Sequence, residues 1–558
     1  MSEPANISQA QMTGAQALVK TLEMLEVDTI FGYPGGANLP IYDALRNSKI
    51  QHILARHEQG AIHMAEGYAR IMGKPGVCLA TSGPGVTNLI TGLADAYLDS
   101  IPLVVITGQI PRALIGTDAF QEVDCINITM PVTKHNELIF EEENVVPSLK
   151  AAFYIADSGR KGPVLLDFPK DVLSNKFPHH FDHEVKLRGY NPTVVGNIGQ
   201  IKKALRLLAK AERPLILFGG GITIAKAEQE FLQFIRTTKI PVVRTLMGTG
   251  VIADNDPYYI GLIGTHGNSI ANRVVQRDAD VVMAIGTRLG NRSVIKSHLF
   301  AKNAKVIHID IDPAEIGKSV TIDIPIVGDI KVTLQTMNER VSKRPLGHEE
   351  PWITNNYQER TTMLPTKDAA SVMEDIFVEL SKIDIPLHVS TDVGRHQMWA
   401  NHHCTNPKHL PLLTSGGLGT MGFGLPAAIG AWFAGQDTPV VCLSGDGSFM
   451  MTLQEFSVAV EHKVPLTVII LNDFRLGMIR ELQDAQYGSR HTVHDLHRCT
   501  NFPKLAEAMG GMGYSVKRRE QIGPVLREAL NNPLPTLIDF DMEKLLDSIH
   551  LSLNPIAS

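Results

Sequence analysis

The chain has 558 residues, 44% of them hydrophobic and 20% charged, and 52 basic against 58 acidic side chains leave a formal charge of −6. That balance is ordinary for a globular protein and gives no footing for nucleic acid, while no apolar run reaches the roughly 18 residues of a membrane span. A chain this long exceeds one hydrophobic core, so two to four domains are expected. The opening MSEPANISQAQMTG has neither the basic nor the apolar region of a secretory signal, and Cys78, Cys125, Cys404, Cys442 and Cys499 show no CxxC spacing. Buried, reduced thiols in a cytoplasmic protein are the expectation.

Three α/β blocks follow in chain order. Residues 1–180 alternate a helical pattern, GAQALVKTLEML, with the strand runs TIFGYP, GVCLATSG, PLVVITGQ and GPVLLDFP. The stretch 178–193 breaks the alternation and reads as a linker. Residues 194–342 carry the strands PLILFGGG, PVVRTL, DVVMAIG and KVIHIDID, and the polar, proline-containing stretch 343–365 reads as a second linker. The last block is 366–558. Strands alternating with helices predict an α/β fold of three doubly wound parallel sheets.

In the last block PVVCLS (439–444) reads as a buried strand. Gly445-Asp446-Gly447, a helical stretch, the strand LTVIIL (466–471) and Asn472-Asp473 follow. Asp446 and Asp473 thus stand at the carboxyl ends of parallel strands, where open α/β sheets bind ligands. A hard cation such as Mg²⁺ wants this arrangement: few protein oxygens, some water and a phosphate. The two acids therefore predict a metal that holds a diphosphate. Glu58, in ARHEQGAIHMAEGYAR (55–70), heads a helical pattern with Ala61, Ala65 and Ala69 at helical spacing. Taken alone, it reads as a partner of the helix dipole.

The spacing from GDG to Asn-Asp resembles the metal and diphosphate signature of thiamine diphosphate (ThDP) enzymes, and RHEQGA and TSGGLGTMGFGLPAAIG (414–430) resemble two more of that family's motifs. The resemblance implies three domains, binding the cofactor's pyrimidine ring, a central ligand and its diphosphate. It implies Mg²⁺ held by Asp446, Asp473 and the Arg475 carbonyl, within a turn that includes Gly445, Gly447 and Ser448. Glu58 becomes the acid that hydrogen-bonds the aminopyrimidine ring. Gly419 accepts from the 4′-amino group, Met421 wedges the two rings apart, and Met478 adds a cofactor contact. VGRHQMW (393–399) offers Gly394, His396 and Gln397 to the diphosphate. Arg395 stands where that family more often has Gln, and Asp473 where it usually has Asn.

FGYPGGANLPIYDAL (31–45), ATSGPGVTNLITGLADAYLDSIPLVVITGQ (80–109), GTDAFQEVD (116–124) and PVTKHN (131–136) narrow the resemblance to the catalytic subunit of acetolactate (acetohydroxyacid) synthases. The implied activity is decarboxylation of pyruvate and its joining to a second 2-oxo acid, giving 2-acetolactate or 2-aceto-2-hydroxybutyrate in branched-chain amino acid biosynthesis. Gly36 with Ala37 then lies over the reacting centre. Phe120, Gln121, Lys134 and Gln109 line the substrate approach, and Arg292 grips the second substrate's carboxylate. In the middle block Gly220, Gly221, Thr245, Leu246, His266, Gly286, Arg288, Asp310 and Asp329 resemble the strand ends that hold a non-redox FAD. A homodimer or homotetramer with each site shared between chains is implied, as is a small regulatory subunit.

Several positions depart from the family: RLGNR (288–292) for RFDDR, Leu482 for a Trp that shapes the pocket for 2-oxobutyrate, and Thr265 for a Met. The tail EKLLDSIHLSLNPIAS is closer to the catabolic, flavin-free branch. These changes bear on acceptor choice, FAD and regulation. Relatives of oxalyl-CoA decarboxylase or sulfoacetaldehyde acetyltransferase are the alternative, against which Phe120-Gln121-Glu122 and Arg292 speak. Glyoxylate carboligases lack the acid found at 58, and a catalytically dead cofactor-binding regulator would have no use for Glu58 and Asp446.

Overall fold

Every apolar run read above as a strand forms one, and the strands gather into three six-stranded, all-parallel sheets. The structure is a computed structural model that describes residues 11–355, 367–383, 385–404, 412–435 and 438–545. The first sheet contains β1 (Thr29–Gly32), β2 (Gln51–Leu54), β3 (Gly76–Ala80), β4 (Leu103–Gln109), β5 (His135–Leu138) and β6 (Pro163–Pro169), in the order β2-β1-β3-β4-β6-β5. The middle sheet contains β7 (Pro214–Phe218), β8 (Val242–Arg244), β9 (Tyr259–Leu262), β10 (Val281–Ile285), β11 (Lys305–Asp310) and β12 (Ile324–Val327), in the order β9-β8-β7-β10-β11-β12. The third contains β13 (His388–Thr391), β14 (Leu412–Leu413), β15 (Val440–Gly445), β16 (Leu466–Asn472), β17 (Met512–Val516) and β18 (Thr536–Asp541). Its order, β14-β13-β15-β16-β18-β17, repeats that of the first sheet. β4 and β16 are buried at every residue, which is why their sequences are continuous apolar runs and not alternating ones.

Near its middle each sheet has a switch point where the strand order reverses, and the loops leaving the two flanking strands open a crevice there. In the first sheet the reversal lies between β1 and β3, beside Gly36 and Gly83. In the middle sheet it lies between β7 and β10, beside Gly220, Gly221 and Gly286. In the third it lies between β13 and β15, beside Gly394 and Asp446. Strand order alone therefore gathers most of the residues singled out in the sequence.

The first and third sheets are joined by helix α1 (Glu58–Met72), which packs on a helix of the third domain, Gly424–Ala434; α2 (Ile90–Asp99) lies beside α1. The backbones nearly touch. A Cβ on Gly67 would run into the Ala427 carbonyl, and one on Gly430 into the Met64 carbonyl. This explains the glycine at 67 in the 55–70 segment. Gly430→Ala is expected to cost about 1–3 kcal/mol, because packed backbones cannot separate without opening the core, and thermal denaturation will read it as a lower Tm.

Three expectations need amendment. The 178–193 linker is irregular but packed, with Phe181, Leu187 and Tyr190 on the first core. Residues 343–355 are likewise seated on the middle domain, where the Trp352 indole donates to the Pro214 carbonyl (2.7 Å). Cys499 is exposed, unlike the other four thiols. The rest of the second linker, the start of the third block at 366 and the tail beyond 545 lie outside the described residues. No helix among the described residues is long and apolar enough to cross a membrane.

Candidate active site

β15 ends at Gly445 and helix α3 (Asp446–Thr452) starts at the next residue, so the Asp446 carboxylate stands at the mouth of the third crevice. Burial pushes it up to about 6, partly offset by backbone N–H groups, Gly447 among them at 3.0 Å. Its Oδ2 is buried and has no hydrogen-bond partner. At the end of β16, Asn472 gives its amide to Asp539 (2.9 Å), which leaves Asp473 as the acid toward the crevice, where it pairs with Arg395. The chain then turns through Phe474 at φ 58 and pairs Arg475 with Asp495. The Phe474 carbonyl and Leu476 N–H take the bridging hydrogen bonds (2.9 and 2.7 Å), so the Arg475 carbonyl points the other way. An orphaned buried carboxylate oxygen beside a second carboxylate and an outward carbonyl is a donor set that fits a hard divalent cation.

Around it, Ser448 bonds the Val393 carbonyl (2.8 Å), and the His396 ring packs against Gly394 and Gly445. Burial drives His396 down to about 3, so it is neutral, and its Nε2 has no partner. Gln397 is engaged within the fold. Its amide donates to Thr414 (2.7 Å) and the Ser415 carbonyl (2.9 Å), fixing the 414–420 loop. In that loop Gly419 takes φ +78, open to glycine at little cost, and its N–H bonds the Ser415 hydroxyl (3.0 Å). Met421 reaches over Gly447, its Cε 3.8 Å from where a Cβ would stand. Met478 lies half-buried near the start of helix α4 (Gly477–Tyr487).

Glu58 is the first residue of α1 and accepts from the Asn88 amide (2.9 Å). Beside it Glu455 accepts the Arg56 N–H (3.0 Å), and burial, with the Glu58 charge as a smaller cause, pushes Glu455 up to about 7. Neither Asn88 nor Glu455 was legible as a partner. Glu455 follows α3, so Glu58 abuts the far end of a helix about 10 Å long from Asp446 of its own chain.

The loop carrying Phe120 and Gln121 lies against Gly83, and Gln121 takes φ 60. Phe120 is 87% exposed, and the space around Gly36 is open, with nothing within 4 Å of a Cβ placed there. Gln109 is turned inward, its amide on Asp167 (2.9 Å) and the Val123 carbonyl (3.2 Å). Lys134 does not join this group. Its ammonium donates to the Ile155 and Ser158 carbonyls and lies over the Tyr190 ring (5.4 Å), facing the 178–193 strap.

The middle crevice is a cavity whose walls include all nine residues expected to hold FAD. Gly221 and Gly286 approach so closely that neither has room for a side chain. His266 is driven down to about 4 by burial, and Asp310 up to about 6. Asp329 also caps a helix through the Val332 N–H (2.9 Å). Arg292 lies on the same wall, with long contacts (3.4 Å) to Gln397 and the Met398 sulfur, where the middle and third domains meet. Asp99, at the end of α2, ties the first domain to the third by accepting from Arg70 (3.0 Å) and from the Gly416 and Gly417 N–H groups (2.9 and 2.7 Å).

Two parallel sheets of the same strand order joined through packed helices, with a cation-ready carboxylate at one switch point and a glutamate heading a helix of the other domain, define an α/β enzyme that works through a diphosphate cofactor. Family profiles agree: residues 12–128 match the N-terminal thiamine pyrophosphate (TPP) binding domain, 201–337 the thiamine pyrophosphate enzyme central domain and 392–540 the C-terminal TPP binding domain. The probable acetolactate synthase large subunit of Methanococcus aeolicus is 43% identical over 95% of this chain and 92% of its own length. The acetolactate synthase isozyme 3 large subunit of Escherichia coli is 43% identical over 93% and 92%, and the probable large subunit of Methanocaldococcus jannaschii is 44% identical over 95% and 91%. The chain belongs to the thiamine diphosphate enzymes and, among them, to the acetolactate synthase large-subunit family.

Proposed function

We propose that the protein converts two molecules of pyruvate, or pyruvate and a second 2-oxo acid, to 2-acetolactate or its homologue. The observation that carries the reading is Arg292, whose guanidinium keeps donors available for a carboxylate at the edge of the cofactor loop. ThDP supplies, when bound, the carbanion chemistry that amino-acid side chains lack. The chain's own residues do the rest. Asp446, Asp473 and the Arg475 carbonyl hold Mg²⁺ and with it the diphosphate. Met421 and Gly419 fix the cofactor's conformation, Glu58 exchanges a proton with its pyrimidine ring, and Phe120, Gln121 and Gly36 border the substrate. A non-redox FAD in the middle cavity is part of the proposal.

The enzyme works as a homodimer or homotetramer, with Glu58 of one chain completing the Asp446 site of another. The exposed apolar side chains Phe120, Leu418, Met450 and Met451 around the site support this. A small regulatory subunit and a cytoplasmic location complete the reading. Incubation with pyruvate, ThDP and Mg²⁺ should yield acetolactate, whereas acetaldehyde as the main product would favour a plain decarboxylase. Leu482, 43% exposed on α4, stands on this reading where a Trp would narrow the acceptor pocket. Leu482→Trp is expected to raise the preference for 2-oxobutyrate over pyruvate by roughly tenfold, the scale of one methylene in a shaped pocket, read by competing the two acids in one assay.

A further inference from the structure

Arg395 is the most enclosed cation of the third crevice. Its guanidinium pairs with Asp473, reaches Glu481 on α4 at 3.2 Å and lies over the Trp399 ring at 5.3 Å. A Cβ on Gly477 would collide with it, so the start of α4 is shaped around it. Its side chain is only 12% exposed, although burial disfavours its charge. Asp446 and Asp473 face it from the cofactor side, and Glu481 from α4. Arg475, the nearest like charge, is engaged by Glu543. Such a buried cation, held among three acids two of which are the proposed metal ligands, is more than a staple for α4.

We propose that Arg395 is a resident cation of the metal and diphosphate site, sharing the Asp473 carboxylate with the metal and setting how tightly the metal is held. The inference rests on the proposed metal role of Asp446 and Asp473. One Asp473 oxygen meets Arg395, and the other is left for the metal. The guanidinium withdraws negative charge from the ligand, so a charged Asp473 with Arg395 offers a metal about what a neutral amide without it would. Removing only one partner unbalances the site in a direction set by the charge removed.

The test is Mn²⁺ binding to the protein saturated with thiamine diphosphate, followed by the electron paramagnetic resonance of free Mn²⁺. Arg395→Gln should tighten Mn²⁺ about tenfold and Asp473→Asn loosen it about tenfold, while the double variant returns to within about threefold of wild type. Arg395→Lys, which keeps the charge, should stay near wild type, and if the glutamine variant does not fold, Arg395→Met, which removes the charge and keeps most of the length, takes its place. A staple alone predicts a lower Tm for Arg395→Gln with unchanged Mn²⁺ affinity, and that result would overturn the proposal. Asp446→Ala separates the two readings: if it too binds Mn²⁺ as wild type does, the metal site itself is misplaced and both fall.

Discussion

Glu58→Gln should lower kcat by about 10²- to 10⁴-fold, the range lost with a positioned acid–base group, while Tm stays near that of the wild type. The amide is the same size, and its oxygen still accepts from Asn88, which holds the carboxylate at 2.9 Å. What it loses is the ability to carry a proton to and from the cofactor's pyrimidine ring. Glu455, the acid beside it, cannot substitute, because it is bound to the Arg56 N–H. Steady-state kinetics with pyruvate at saturating ThDP and Mg²⁺ read the effect. More than a tenth of wild-type turnover in a correctly folded variant would remove Glu58 from the chemistry.

Asp446→Ala should separate stability from cofactor binding. In the cofactor-free protein the substitution removes a carboxylate oxygen that is buried without a partner, so the variant is expected to be as stable as wild type or more so. With cofactor the order reverses. A ligand present at about 100 times its Kd stabilises the folded state by about 2.7 kcal/mol, and the wild type should gain a Tm increase of that origin from ThDP with Mg²⁺. The variant should gain none, and its activity should fall to background. A full cofactor-dependent rise in Tm in Asp446→Ala would place the metal elsewhere.

The parts of the site that lie within one motif were legible from the sequence. Asp446 and Asp473 could be placed at strand ends because the apolar runs before them are too short and too evenly buried to be anything but parallel strands. The middle cavity was legible for the same reason, its glycines marking the ends of β7 and β10. What the sequence hid are contacts between segments far apart in the chain. Arg56 and Glu455 are 399 positions apart, and no local pattern announces that they meet. Arg395 and Asp473 each stood out as an exception, but their pairing appears only when β13 and β16 fold into one sheet. Lys134 shows another limit: a long side chain reaches several ways from one Cα, and within this chain two backbone carbonyls at the end of the helix Val145–Asp157 hold its ammonium. Gln397 sits in the expected turn, yet its amide is used to hold the neighbouring loop.

The central claim is that Glu58 and Asp446 act on one cofactor from different chains. Mixing the two inactive variants tests it most directly. Glu58→Gln and Asp446→Ala subunits, dissociated, combined in equal amounts and reassembled, would place both lesions in one site of each mixed pair and neither in the other. The account predicts recovery of activity to about a quarter of wild type, since half of randomly formed pairs are mixed and each has one intact site. Activity no higher than that of the separate variants, with mixed pairs demonstrably formed, would contradict it.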